Sequence, residues 1–244
     1  YTNARFWSAG QEIFHDLLVK DSIIIATGEQ TKEFTAGSTI DLNGAFVIPA
    51  FLDGHAHPIF AGREAAGPKI NGINSIEEIK AQVKAFANAN PATAWIIGGA
   101  YEAAIIEGGD FDAKWLDEVV SDRPVVLHAV DHHTIWVNSK AIELSGITSA
   151  TKDPQGGTIA RNSDGSAKGT LREPSAMGLV LNHAPANTIE SDIAAITYAC
   201  AEYRKVGVIA AIDSWCEKDM ARAYIVAAKT NQLTIAFNLS LLAT

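Results

Sequence analysis

The chain has 244 residues, 48% of them hydrophobic and 19% charged, which is typical of a globular protein with a sizeable core. The formal net charge is −9 and no cluster of lysine and arginine stands out, so nucleic acid and anionic membrane surfaces are excluded as expected partners. The two cysteines, Cys200 and Cys216, stand in apolar contexts and imply no disulfide framework. No apolar run is long enough to span a membrane and no signal segment opens the chain, so we expect a cytoplasmic location.

The first 48 residues are rich in β-strand signals. Glu12–Val19 and Ser22–Thr27 are short apolar runs separated by two polar residues, which predicts a hairpin. Asn43-Gly44 is a type I′ turn signal just before the strand that begins at Ala45. We interpret residues 1–48 as a small β-sheet module.

The strand that begins at Ala45 is apolar and ends in His55-Ala-His57-Pro58. Side chains alternate faces along a strand, so the two imidazoles point the same way, about 6.5–7 Å apart. Two neutral imidazoles on one face can converge on one divalent cation. A continuous apolar run is typical of a buried parallel strand, and α/β folds carry their chemistry at the C-terminal ends of such strands. We therefore favour a metal site here over two chance histidines.

Strands and helices alternate from Ala45 onward. The further predicted strands are Ala94–Tyr101, Pro124–Val130, Val208–Asp213 and Leu233–Leu242; the predicted helices begin with the capping box Ser75–Glu78 and continue with Asp112–Val120, Asn138–Leu144, Thr188–Val206 and Lys218–Thr230. Residues 151–172 interrupt the alternation as a β-hairpin. Five strands with intervening helices predict a parallel α/β sheet, and the strand-rich module before them favours a barrel. No Gly-x-Gly-x-x-Gly follows a strand, so a nucleotide-binding doubly wound sheet is the weaker choice.

Four segments, taken together and in order, resemble a known family. They are Val47–Pro58, Arg123–Ile147, Gly156–Arg161 and Gly165–Glu173. The chain is similar to the amidohydrolase superfamily, specifically the amidohydrolase-3 branch that includes N-substituted formamide deformylase-like enzymes. One departure is Ala50, where the family usually carries glycine.

The resemblance implies a (β/α)8 TIM-barrel fold with a small β-sandwich assembled from both ends of the chain. On this reading residues 1–48 are the N-terminal part of the sandwich. Residues 49–244 are then the first part of an incomplete barrel of about five strand–helix units, because each unit needs about 30 residues. The family's catalytic aspartate follows the eighth strand, which would lie beyond Thr244, so no catalytic residue is identified in this chain.

The resemblance also implies the chemistry. Family members hydrolyse amide and related C–N bonds with one or two divalent metals, usually zinc, and iron or manganese are alternatives here. The metal lowers the pKa of bound water and polarises the scissile carbonyl. The expected reaction is hydrolysis of an amide-type bond in a small substrate through metal-activated water.

Individual residues take their expected roles from the same resemblance. His55 and His57 match the family's metal pair. Glu173 resembles a carboxylate that bridges two metals in this branch, with a solvated or helix-capping glutamate as the alternative. His133 is the candidate substrate contact. Strand alternation would place His132 on the opposite side, so at most one of the two faces the site.

Other polar residues near the strand ends have structural explanations beside functional ones. Asp213 is the only candidate carboxylate at the end of the fourth strand. Asp53 could accept a hydrogen bond from a ligating histidine or stabilise the turn at Gly54. His128 is a weaker site candidate. Trp136 and Asn138 are explained by core packing and helix capping.

Two alternatives to a metal-dependent amidohydrolase stay open. The first is a catalytically incomplete N-terminal fragment of such an enzyme, and the second is a non-hydrolytic α/β binding protein. The expected partner is a small-molecule substrate, with no nucleic acid and no membrane. Self-association as a homo-oligomer is left open, because the flank of the fifth strand of an incomplete barrel would be exposed.

Overall fold

The N-terminal segment forms two small sheets. A computed structural model describes residues 1–8 and 13–242. The first four strands are β1 (Arg5–Phe6), β2 (Leu17–Lys20), β3 (Ile23–Thr27) and β4 (Phe46–Val47). Strands β2 and β3 pair antiparallel, which confirms the predicted hairpin. The start of the predicted first strand, Glu12, lies outside the described residues.

The turn predicted at Asn43-Gly44 is present. Both residues have the positive φ that a type I′ turn requires, 51° and 75°. The Ala45 N–H donates to the Leu42 carbonyl at 3.0 Å and closes the turn. After it, β4 pairs in parallel with β1 rather than folding back on the residues just before the turn.

The rest of the described chain alternates strands with helices. The strands are β5 (Phe51–Ala56), β6 (Ile96–Tyr101), β7 (Val125–Ala129), β8 (Thr134–Val137), β9 (Thr158–Arg161), β10 (Ala167–Arg172), β11 (Val208–Cys216) and β12 (Ala236–Leu241). The helices are α1 (Pro58–Ala65), α2 (Ile76–Ala89), α3 (Ala113–Asp117), α4 (Ser139–Leu144), α5 (Glu173–Leu181), α6 (Ile189–Lys205) and α7 (Lys218–Lys229). Ser75, the first residue of the predicted capping box, accepts from the Glu78 N–H, and Thr188, where a helix was predicted to begin, accepts from the Ser191 N–H.

A three-stranded parallel sheet, in the order β12-β11-β5, carries the histidine pair at its C-terminal end. Helices α1 and α6 cover it and contact each other closely. Gly62 has no side chain, so its backbone can approach the Ala195 backbone. Beside this contact the Arg63 guanidinium donates to both Asp192 carboxylate oxygens, at 2.8 and 3.0 Å.

A five-stranded mixed sheet has the order β6-β7-β8-β10-β9. Only β6 and β7 pair in parallel; β8 runs antiparallel to β7 and to β10, and β9 antiparallel to β10. The prediction of an all-parallel sheet is wrong for this part. The chain reverses after β7 in a turn at residues 130–133, where His132 has a φ of 60°, and β8 follows at once. The hairpin predicted at 151–172 is confirmed as β9 and β10, and it extends this sheet.

Apolar side chains form three buried clusters. One surrounds Trp136, whose indole N–H donates to the Asp112 carbonyl at 3.0 Å while its ring contacts Phe111. A second lies between β7–β10 and the helices α4 and α5. The third lies under the three-stranded sheet and includes both cysteines, Cys200 and Cys216, as buried free thiols. The cysteines thus contribute to core packing, as expected.

The α/β class is confirmed, whereas a closed barrel is not seen. The sheets formed by residues 1–8 and 13–242 are open: two two-stranded sheets, a parallel three-stranded sheet and a mixed five-stranded sheet. Sequence periodicity marked the strands but could not show which strand ends would meet. Within the same described ranges, no helix is both long and apolar enough to cross a lipid bilayer.

Candidate metal centre

The histidine pair stands where β5 passes into α1. The rings of His55 and His57 are neighbours, with their centroids 5.3 Å apart and their planes at 88°. The backbone N–H of His55 donates to Oδ1 of Asp53 at 3.1 Å, and Tyr203 holds the other oxygen of that carboxylate at 3.1 Å. Asp53 therefore fixes the strand end through the backbone. Of the two roles expected for Asp53, this contact agrees with stabilisation of the turn at Gly54.

One donor atom of the pair has no protein partner. Nδ1 of His57 is buried and makes no hydrogen bond to any described residue. A buried polar atom without a partner destabilises the fold by roughly 1–3 kcal/mol. A ring nitrogen in this position is suited to a ligand, and a divalent cation is a ligand that imidazole nitrogen binds well.

Asp213 brings a carboxylate to the same sheet edge. It lies on β11 in register with Ala56 of β5 and is almost fully buried. The Tyr224 hydroxyl donates to its Oδ2 at 2.8 Å, and the Trp215 N–H donates to its Oδ1 at 3.2 Å. Burial raises the pKa of Asp213, while these two hydrogen bonds and the nearby His57 act in the opposite direction.

A second pair joins two residues that the sequence analysis selected separately. Nδ1 of His133 lies 3.0 Å from Oε2 of Glu173, and both side chains are exposed. The Glu173 N–H also donates to the His133 carbonyl at 2.7 Å. Glu173 has a φ of 68°, an unfavourable backbone conformation for a residue with a Cβ. The hydrogen bond to Glu173, followed by its charge, raises the pKa of His133.

A third group was missed by the sequence analysis. Glu64 of α1, His128 of β7 and His132 each offer a ligand atom within 4.8 Å of the other two. The Phe60 ring contacts both His57 and His132, with centroid distances of 6.0 and 6.1 Å, so the group adjoins the histidine pair. The His128-x-x-x-His132 spacing was a signal, but nothing in the sequence placed Glu64 beside it.

The predicted site residues thus fall into two pairs. His55 meets His57, and His133 meets Glu173, but among the described residues no hydrogen bond or ion pair links Glu173 to His55 or His57. Glu173 is the first residue of α5, so its position agrees with the alternative role of a glutamate at a helix end.

The remaining polar residues have structural roles. Asp131 accepts a hydrogen bond from the His133 N–H at 2.9 Å and stabilises the turn. Asn138 caps α4 by accepting from the Ala141 N–H, and Trp136 is in the core, as expected.

Comparison with known proteins gives the geometry a context. A family model described as "Amidohydrolase family", of the amidohydrolase-3 type, matches residues 38–241, which is most of the chain and includes every candidate site residue. The chain belongs to the amidohydrolase family. The resemblance carried by the four sequence segments is confirmed.

Three relatives illustrate the breadth of this amidohydrolase family. A Bacillus subtilis protein named YtcJ is 34% identical over 173 residues, which is 68% of this chain and 32% of that protein. The protein LONG AFTER FAR-RED 3 of Arabidopsis thaliana is 32% identical over 73% of this chain and 32% of its own length. An N-substituted formamide deformylase of Arthrobacter pascens is 27% identical over 71% of this chain and 33% of its length. The chain thus spans about a third of each of these relatives.

Two solved structures share the fold. A metal-dependent hydrolase from Pyrococcus furiosus matches 98% of this chain and 49% of its own, with a TM-score of 0.66 and 21% identity. Its counterpart from Pyrococcus horikoshii OT3 matches 98% of this chain and 47% of its own, with a TM-score of 0.68 and 22% identity. The arrangement of the amidohydrolase chain's open sheets therefore recurs within larger known structures.

Proposed function

We propose that this amidohydrolase-family chain forms part of a metal-dependent hydrolase that cleaves an amide-type C–N bond of a small substrate. The observation that carries the proposal is the pair His55 and His57. The two rings lie 5.3 Å apart with perpendicular planes at the C-terminal end of a parallel strand, within the segment that the family model matches. The name of the Arthrobacter relative, an N-substituted formamide deformylase, supports the bond type. The titles of the two Pyrococcus structures, which are metal-dependent hydrolases, support the metal dependence.

The residues at this strand end fit a divalent cation. Two imidazoles supply nitrogen ligands, and the unpartnered Nδ1 of His57 is an atom that a cation would satisfy. Zinc is the ion we propose first, because it favours nitrogen ligands; iron and manganese are alternatives. Glu173 stays the proposed carboxylate ligand and His133 the proposed substrate contact, supported by their mutual hydrogen bond.

A bound cation of this type supplies Lewis acidity, which lowers the pKa of water and polarises a carbonyl. The chain itself supplies position and charge. Asp53 and Tyr203 fix the strand end that carries His55, and Tyr224 fixes the Asp213 carboxylate at the same edge. These side chains hold the polar groups of the site in place before substrate binds.

The fold that we propose for the complete active site is a (β/α)8 barrel. Residues 49–244 contribute strands to it and residues 1–48 contribute to a small β-sandwich. Support comes from the parallel pairing of β5, β11 and β12 and of β6 with β7, and from the open edges of these sheets.

The test is metal-dependent amine release. The protein is stripped with a chelator, reloaded with Zn²⁺, Mn²⁺ or Fe²⁺, and assayed on N-formyl and N-acyl amines. We expect hydrolysis only after reloading, and its loss in His57→Ala but not in His183→Ala, since His183 is exposed and lies outside the site. Amine release at the same rate with and without added metal, or its persistence in His57→Ala, contradicts the proposal.

The alternative of a catalytically incomplete chain is tested by the same assay. The 244-residue chain and the product of the complete coding region are compared side by side. Activity confined to the longer product favours the alternative, because the catalytic aspartate that the resemblance implies would then be supplied from outside these residues. Substrate binding without turnover by either product favours a binding protein.

A further inference from the structure

Glu64, His128 and His132 come from three separate elements and converge beside the histidine pair. Oε1 of Glu64 lies 3.5 Å from Nδ1 of His132, and one atom of each residue lies within 4.8 Å of the other two. In a tetrahedral zinc site with bonds of about 2.0–2.2 Å, neighbouring ligand atoms are about 3.4 Å apart. The distance between Glu64 and His132 is already close to this value. The distances from His128 to the other two residues would reach it if the ligand atoms moved closer by about 1.4 Å at most.

A hydrogen-bonded ion pair explains the arrangement of Glu64, His128 and His132 less well than a cation site does. Charge-assisted N–H···O bonds are usually about 2.7–2.9 Å long, whereas Glu64 and His132 stand 3.5 Å apart. Nδ1 of His128 is buried and has no hydrogen-bond partner among the described residues. The group therefore leaves donor and acceptor capacity unused, as a cation site without its cation does.

The backbone around the group makes room for these side chains. A Cβ on Gly99 would overlap the Glu64 carboxyl group, so this glycine opens the space in which the carboxylate lies. His132 has a φ of 60° in the turn after β7, and in this turn its Nδ1 lies 3.5 Å from Oε1 of Glu64.

We propose that Glu64, His128 and His132 form a second divalent-cation site of the zinc type, separate from His55 and His57. Phe60 contacts one ring of each set, so the two sites are neighbours that share no ligand. The site takes two nitrogens and one carboxylate oxygen from the protein, which leaves a coordination position open. The proposal does not depend on the hydrolase activity.

Zinc stoichiometry in matched variants tests it. Chelator-stripped protein is titrated with Zn²⁺ against a competing chelator, and bound metal is counted by elemental analysis. His132→Asn is the informative variant because asparagine tolerates the positive φ at this position. We expect the double variant His55→Ala/His57→Ala to retain one equivalent of zinc and the triple variant with His132→Asn to lose it. His183→Asn is the matched control and should lose none.

Retention of the same equivalent after His132→Asn overturns the proposal, as does the absence of tight zinc in the double variant. A failure of the proposed hydrolase site shows differently, as zinc that His55→Ala/His57→Ala leaves fully in place. If His132→Asn does not fold, anomalous diffraction from zinc-loaded wild-type protein decides the matter. A peak among Glu64, His128 and His132 supports the site, and density without a peak there overturns it.

Discussion

Nδ1 of His133 lies 3.0 Å from Oε2 of Glu173, although 40 residues separate them in sequence. The contact arises because β8 and β10 are antiparallel neighbours, with Thr134 opposite Arg172. The residue before one strand therefore meets the residue after the other. This places the proposed carboxylate ligand against the proposed substrate contact, and it makes the role of Glu173 testable through His133.

Replacing His133 with alanine should weaken cation binding at the proposed centre. A ligating carboxylate that loses its hydrogen-bond partner binds metal about 10–100-fold more weakly. The measurement is a Zn²⁺ titration against a competing chelator in a His132→Asn background, which removes the separately proposed site. His183→Ala serves as the control. An unchanged zinc affinity in His133→Ala would show that the pair is not part of the centre.

Asn138→Ala should strongly reduce the free energy of unfolding. The buried Asn138 amide accepts from the Val125 and Ala141 N–H groups at 3.0 Å each, and donates to the Val120 and Arg123 carbonyls at 2.9 Å each. The alanine variant leaves several of these buried groups without partners, at about 1–3 kcal/mol each, so we expect a loss of about 3 kcal/mol or more.

Urea denaturation measures the Asn138 effect. The matched control is Asn187→Ala, because Asn187 is exposed and its replacement should change stability by less than about 0.5 kcal/mol. Equal losses in the two variants would contradict the account of Asn138 as the residue that joins the start of β7 to α4.

Breaking the ion pair between Arg63 and Asp192 should strongly lower the free energy of unfolding. The side chain of Asp192 is 4% exposed and that of Arg63 22%, so removal of the aspartate leaves a mostly buried charge. We expect Asp192→Ala to lower the free energy of unfolding by about 3–5 kcal/mol. The exposed pair of Arg222 and Asp219 is the control, and Asp219→Ala should lower it by about 1 kcal/mol or less.

A double-mutant cycle completes that test. Arg63→Met combined with Asp192→Leu removes both charges and keeps apolar contact between α1 and α6, so it should recover much of the loss. A double variant as unstable as Asp192→Ala would show that the loss does not come from the unpaired arginine.

Gly169→Ala should destabilise the junction between β10 and α3. Gly169 has a φ of 140°, and an added Cβ would overlap the Ala113 backbone. Backbone strain and forced displacement together predict a loss of about 3 kcal/mol in thermal or urea unfolding. Gly37 is the matched control, because a Cβ there meets nothing within 4 Å. If Gly169→Ala and Gly37→Ala are equally stable, the close approach of Gly169 to Ala113 does not make the alanine variant less stable.

Local signals predicted much of this structure because they act over a few residues. Ser75 and Thr188 cap the helices that they were expected to begin, since their side chains reach N–H groups one turn away. Strand direction is a different problem. Nothing in the residues of β8 shows that it returns antiparallel beside β7, because the reversal depends on a tight turn around His132.

The same turn explains why the group around His132 was missed. Strand alternation assigned His132 and His133 to opposite faces, but both lie in the turn, where that rule does not apply. Each instead meets a glutamate distant in sequence, Glu64 for His132 and Glu173 for His133. The approach of His55 to His57 was predictable because residues two positions apart need no tertiary contact to be neighbours, although β5 ends at Ala56 and His57 precedes α1.

The most direct test of the central claim is anomalous diffraction at the zinc edge from zinc-loaded crystals. Our account predicts a peak within about 2.3 Å of an imidazole nitrogen of both His55 and His57. That peak should vanish in His55→Ala/His57→Ala crystals. A zinc-loaded protein with no peak between these two rings would contradict the assignment of the pair as a metal centre.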